Sequence, residues 1–370
     1  MHVESVKLRV IFNSFGGETI EAVINNMHIA SCPGGISQSS YEKKALDARK
    51  SIMNFRRLSR KFCGKFTQKE FDALLAENMR RFGSSLTTAL SLAFFTAGFD
   101  PRKHREFPNL LGNAIGGSEH SFGIGPEIQE ILTIPAEKTV FDAVRTNFCI
   151  WKEIKEILKK KKMLMGMNPE SAWIVRMGIE DSMELVKKVS EKHGAKMGID
   201  YAASSIFRNG MYCYSKKKLS REKQIDYAIS LAKKYRLVYM EDPMNEDDFP
   251  GFCEIRRALP RTLVCGDDLV ASSTERLRQA RNSVNAVIVK PNQIGTVSAC
   301  MELMEYARKS GICPVVSHRS KETCSGVTAR LAMYADFAKF GIAGIRTAKL
   351  NELIRLWDSC ENPRMRKLSL

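Results

Sequence analysis

Polar and apolar residues alternate from the start of the chain: Val6-Lys7-Leu8-Arg9-Val10-Ile11-Phe12, a Gly16-Gly17 turn, then Thr19-Ile20-Glu21-Ala22-Val23-Ile24. A period of two bounded by a glycine turn predicts a β-hairpin or short meander over residues 6–30. Residues 31–40, Ser-Cys-Pro-Gly-Gly-Ile-Ser-Gln-Ser-Ser, form a polar, glycine-rich loop. The period then lengthens. From about 67 to 98, Leu86, Ala89, Leu90, Leu92, Ala93 and Phe94 recur at helical spacing. Residues 1–105 are therefore expected to form a small α+β domain.

After Pro108 short apolar runs alternate with helical stretches. The runs are Ala195 to Asp200, Leu237 to Asp242, Leu263 to Asp268, Ala286 to Lys290 and Pro314 to Arg319, and each finishes in an ionisable residue. Strand-sized runs alternating with helices predict βα units and a parallel sheet. Ionisable groups at the C-terminal ends of such strands are the arrangement of a (β/α)-barrel enzyme, here over residues 106–370. A doubly wound sheet is the alternative, but the chain has neither a GxGxxG nor a P-loop signature. No internal repeat or low-complexity linker is evident.

At 370 residues and 44% hydrophobic, the chain can bury a large core. It has no apolar run long enough for a membrane span, and its first residues, Met1-His2-Val3-Glu4-Ser5, do not read as a signal peptide. The ten cysteines are scattered without a CxxC pair, which predicts free buried thiols in a reducing cytoplasm. A net charge of +17 admits binding to nucleic acid or an anionic surface. The basic excess is spread along the chain, however. Its densest run, Lys159 to Lys162, follows Trp151, Ile154, Ile157 and Leu158 at helical spacing, as the solvated end of an amphipathic helix would. A generally basic proteome or a steering field for anionic substrates is the favoured reading.

Asp200, Glu241 and Asp267 end three successive predicted strands, and a barrel would bring them to one mouth. Clustered carboxylates raise one another's pKa, and a hard divalent cation resolves that conflict; Mg²⁺ suits a few carboxylates plus substrate oxygens. Lys290 ends the apolar strand Val287-Ile288-Val289, where desolvation would lower its pKa and make it a usable base. Arg319 and Ser320 offer a forked cation and a hydroxyl suited to phosphate, with His318 beside them. Metal ions, a lysine and a phosphate site together fit proton abstraction next to a carboxylate.

These stretches resemble the enolase family: Glu241-Asp242-Pro243, Gly266-Asp267-Asp268-Leu269, Lys290-Pro291-Asn292-Gln293-Ile294-Gly295 and Val316-Ser317-His318-Arg319-Ser320 occur in the family's order. Asn13 to Thr19, Pro33-Gly34-Gly35-Ile36-Ser37, Gln129-Glu130 and Arg346 to Asn351 extend the resemblance over nearly the whole chain. It implies an α/β chain, an enolase-type (β/α)8 barrel with a smaller N-terminal α+β domain, acting as a carbon–oxygen lyase that interconverts 2-phosphoglycerate and phosphoenolpyruvate. It implies two Mg²⁺ per site, the first on Asp200, Glu241 and Asp267, the second on Ser37 and the substrate phosphate. It further implies Lys290 as base, Glu170 as general acid with Glu130 beside it, Lys339 on the substrate carboxylate, Arg319 and Ser320 on the phosphate, and His318 and His120 lining the pocket. A homodimer is implied through Glu21 and Arg355. The chain departs from the family at Phe15, Gln38, Glu119, Phe340 and the segment Met167 to Trp173.

Two other readings compete. Another lyase or a racemase of the same superfamily would share the three metal carboxylates, but has no need of the Ser-His-Arg-Ser site or the Ser37 loop. A non-catalytic protein holding nucleic acid would show salt-sensitive affinity and no turnover; retention of base, acid and metal set argues against it.

Overall fold

The structure is a computed structural model describing residues 1–36 and 39–368. Strands β1 (Val6–Phe12), β2 (Glu18–Ile24) and β3 (His28–Ser31) form the expected antiparallel meander, with Val6 opposite Ile24 and Ile24 opposite His28. Asn25 and Asn26 both adopt positive φ in the second turn, a conformation that asparagine tolerates better than most residues. Ile20, Ala22 and Ile24 are completely buried beneath the helices that follow: α1 (Ala48–Arg56), α2 (Gln68–Glu77) and α3 (Ser84–Gly98). Thr67 and Glu70 start α2 with a reciprocal capping box. The periodic stretch 67–98 is thus not one helix. Gly83 breaks it at φ +77°, and a Cβ there would lie 2.7 Å from the Leu46 backbone nitrogen.

Eight strands close into a barrel: β4 (Asn109–Gly116), β5 (Glu130–Pro135), β6 (Ala195–Asp200), β7 (Tyr239–Glu241), β8 (Leu263–Gly266), β9 (Ala286–Val289), β10 (Cys313–Ser317) and β11 (Phe337–Lys339), with β11 pairing back onto β4. The barrel is not all parallel: β5 runs against both β4 and β6. Residues 117–129 supply only a single 3-10 turn, Ser118–Ser121, and no crossover helix, so the chain returns as a hairpin. Reversal sets the first residue of β5, Glu130, directly opposite the last residue of β6, Asp200. A strand start and seven strand ends therefore meet at one mouth.

Alternation sorts the strand residues. Leu111, Leu132, Tyr239, Cys265, Ile288 and Val315 fill the barrel interior, while neighbours such as Val264, Val287 and Val316 pack outward under the helices. Helix Val140–Lys160 covers β4 and β5 and carries the predicted Trp151, Ile154 and Leu158 stripe. Among the described residues no helix is long and apolar enough to cross a membrane. All ten cysteines are free thiols.

The meander end of the chain is pinned to the segment after β10. Ser14 donates its N–H to the Glu322 carbonyl (2.8 Å), Gly34 forms an isolated antiparallel bridge with Lys321, and the buried Ser31 and Thr323 hydroxyls lie 2.7 Å apart. These bonds hold the loop that carries Arg319 and Ser320.

Candidate active site

Strand geometry delivers the charged groups. Asp200, Glu241 and Lys339 are the last residues of β6, β7 and β11; Asp267 and Lys290 stand one residue beyond β8 and β9. Lys339 lies 2.7 Å from Asp200 Oδ2 and 2.9 Å from both Glu241 Oε2 and Glu130 Oε2. Tyr239 donates its hydroxyl to Glu241 Oε2 (2.7 Å), and Gln129 donates its side-chain amide to Asp200 Oδ2 (3.3 Å). Burial and then the charge of Asp200 push the Glu241 carboxyl up to about 8.

Lys290 is in ion-pair contact with Asp267. Burial alone would lower the lysine, as expected from its strand-end position, but Asp267 outweighs it and holds the ammonium above its ordinary value. The expectation of a lowered pKa is therefore corrected: in this arrangement Lys290 is protonated. Asp242, adopting φ +42°, accepts the N–H groups of Asp267 (3.0 Å) and Asp268 (2.7 Å) and so fixes the turn after β8.

Glu170 lies in the turn between the paired segments Leu164–Met167 and Trp173–Val175. His120 Nδ1 and His318 Nε2 each lie 3.5 Å from its carboxylate, on opposite oxygens, and Asn113 donates to it at 3.3 Å. Burial pushes Glu130 well above the carboxylate range, aided by the charge of Glu170; burial acts on Glu170 likewise but is overcome by the neighbouring His120 and Glu130, leaving Glu170 below it. The two neighbouring carboxyls are thus pushed in opposite directions. Burial and the nearby Arg346 push His318 down to about 4, so its imidazole is neutral near pH 7.

Arg319 is buried and engaged by Glu42 through two nitrogens, at 3.1 and 3.2 Å, and it donates to Asn292 at 3.2 Å. Ser320 Oγ accepts the N–H of Ile36 at 2.7 Å. Ser37, expected to bind a metal, lies outside the described residues.

One cavity gathers these groups. Seven carboxyl groups line it (Glu42, Glu130, Glu170, Asp200, Asp242, Asp267 and Asp268) against the cations of Lys290, Arg319 and Lys339. Glu241 Oε1 is buried without a hydrogen-bond partner among the described residues. The excess of hard oxygen donors lining the cavity fits a divalent cation such as Mg²⁺. The expected trio does not share a single ligand centre as it stands: Asp200 and Glu241 converge on Lys339, Asp267 on Lys290. Among the described residues, the tight acidic groupings are Asp242–Asp267–Asp268 and His120–Glu130–Glu170.

Residues 106–363 match the family model of the enolase C-terminal TIM barrel domain. The chain is 34% identical to the enolase of Archaeoglobus fulgidus over 99% of both chains. It is 35% identical to that of Thermoplasma acidophilum over 96% of this chain and 98% of the other, and 34% identical to that of Natronomonas pharaonis over the same shares. The chain belongs to the enolase family. It is an enzyme of the carbon–oxygen lyase class with the enolase TIM barrel.

Reading the chain as a sequence left several contributors to this enolase-family site without a role. Asp242 and Gln293 stood inside quoted motifs, and Arg346 opened another. Glu42 and Asn113 carried no pattern. Only their contacts reveal them: Gln293 donates to both Glu42 (3.1 Å) and Asp267 (3.4 Å), bridging two segments far apart in the chain.

Proposed function

We propose that this chain catalyses the reversible, Mg²⁺-dependent dehydration of 2-phosphoglycerate to phosphoenolpyruvate. The observation that carries the reading is one cavity lined by a lysine (Lys290), two buried carboxyl groups (Glu130 and Glu170) and a buried Arg–Ser pair (Arg319 and Ser320). Asp200, Glu241 and Asp267 would hold the first Mg²⁺, and Ser37 with the substrate phosphate a second. Bound there, Mg²⁺ offsets the carboxylate charge and stabilises the negative charge that builds on the substrate carboxylate.

Lys290, once deprotonated, takes the proton from C2. Lys339 faces the substrate carboxylate. Glu170, in its protonated form and with Glu130 beside it, gives its proton to the C3 hydroxyl, which leaves as water. His318 and His120, flanking Glu170, border the leaving group, and Arg319 and Ser320 take the phosphate through a forked cation and a hydroxyl.

Residues 1–105 would serve as a cap over a catalytic unit of residues 106–370, through the bonds from Ser14, Ser31 and Gly34 to the segment after β10. A cytoplasmic homodimer completes the proposal. Within one chain Glu21 pairs with Arg9 at 2.8 Å and Arg355 is exposed, so the interchain pairing implied by resemblance would replace or extend those contacts.

The test is formation of phosphoenolpyruvate from 2-phosphoglycerate with and without Mg²⁺, with Lys290→Ala as control. Metal-dependent turnover lost in the variant is expected. An inert wild-type protein, or turnover that survives loss of Lys290, overturns the proposal.

A further inference from the structure

Arg346 is the largest side chain completely removed from solvent. It sits at the N-cap of the helix Thr347–Asp358, which has no acidic residue in its first turn. A cation there opposes the helix dipole, and its Nε is buried without a hydrogen-bond partner among the described residues. Such a placement works against the helix and costs desolvation. Its contacts lie elsewhere. One guanidinium nitrogen donates to the Pro169 carbonyl (2.9 Å); another donates to the carbonyls of Arg319 (3.0 Å) and Ser320 (3.3 Å) and lies 3.7 Å from Glu170 Oε1. Gly341, at φ +67°, makes room for this: a Cβ there would lie 2.7 Å from Arg346 Cδ.

We infer that Arg346 is a positioning residue whose fork ties the Glu170 loop to the Arg319–Ser320 loop, so that protonation of the leaving hydroxyl depends on it while proton abstraction by Lys290 does not. The inference rests on the function proposed above. Residues 168–171 and 319–320 belong to separate segments of chain, and this one guanidinium hydrogen-bonds to both. A lysine would keep the charge but could not span both sets of carbonyls. Lys290 is anchored separately, through β9 and its ion pair with Asp267.

The test uses the full-length, Mg²⁺-supplied protein and Arg346→Lys, with two readouts. Amide hydrogen–deuterium exchange is expected to rise at residues 168–171 and 319–321 together, with the helix after Arg346 unchanged. Phosphoenolpyruvate formation is expected to fall ~100-fold, the scale of a misplaced catalytic group. At saturating 2-phosphoglycerate, exchange of its C2 hydrogen with D2O is expected to stay within about threefold of wild type. Gly341→Ala, which displaces the same guanidinium without removing it, is expected to give the same split. Loosening of one loop or neither, or a parallel fall in both rates, overturns the inference. A wild-type protein that neither exchanges nor dehydrates overturns the proposed function instead, and the amide readout still decides whether Arg346 braces the two loops.

Discussion

Lys290 and Asp267 oppose each other's usual behaviour in a buried site, and the outcome of that contest decides what Lys290 can do. Burial favours a neutral amine; the adjacent carboxylate favours the ammonium and prevails. Removing the amine with Lys290→Ala should reduce C2 hydrogen exchange by roughly 10²–10⁴-fold, the usual worth of a general base, measured by NMR in D2O. Retained exchange would exclude Lys290 as the base. A second buried pair, Glu322 and Lys349, lies 2.6 Å apart, and Glu322 also accepts the Arg319 N–H at 2.9 Å. Burial alone would raise Glu322, but Lys349 holds it below the ordinary carboxylate value. A depressed folded-state pKa means that its stabilisation is complete above the unfolded value of ~4.3 and fades as pH falls through the folded one. Glu322→Gln, which strands the Lys349 charge, should cost about 3–5 kcal/mol at neutral pH by urea unfolding. The gap to wild type should narrow below about pH 4. A pH-independent gap would show that the carboxylate charge is not the cause.

At the scale of elements, the reversed strand β5 explains how Glu130 reaches the mouth from a strand's beginning, opposite Asp200. The link that makes this hairpin, residues 117–129, carries His120 and passes through a tight crossing at Gly117. A Cβ there would stand 2.0 Å from the Pro126 carbonyl oxygen and 2.4 Å from that of Ile128. Both obstacles are backbone, so the loop itself must move. Gly117→Ala should therefore lower kcat by ~100-fold, the effect of a displacement of about 1 Å at a reacting group. Its far-UV circular dichroism should match wild type, because β4 and β5 pair beyond the crossing. Unchanged kcat would show that the His120 loop is not part of the chemistry. The periodicity of residues 67–98 was legible as helix, whereas the break at Gly83 was not. It follows from the approach of Leu46, a contact from outside the stretch.

At the scale of the molecule, the site concentrates negative charge inside a chain whose net charge is +17. A bound divalent cation would stabilise the folded state by mass action. With Mg²⁺ at about 100 times its Kd, the gain should be ~2.7 kcal/mol, read as a rise in Tm. Glu241→Gln should blunt that rise, whether or not the variant turns over. An equal rise in both proteins would place the ion elsewhere.

The sequence by itself determined the barrel class and most of the charged residues at its mouth. Period-two and helical patterns, and ionisable residues closing each apolar run, are local properties written into successive positions. Lys290, the three acidic strand ends and the Arg319–Ser320 pair were legible on that ground, whereas Lys339 was reached only through the resemblance to the family. Tertiary structure alone decided which of them touch. Asp200, Glu241 and Glu130 converge on Lys339, Asp267 holds the proton on Lys290, Glu42 enters from a segment with no local signature, and Arg346 comes from a motif that gave it no role. Charge pairing and desolvation depend on distance through space and on exclusion of water, and neither is a function of spacing along the chain.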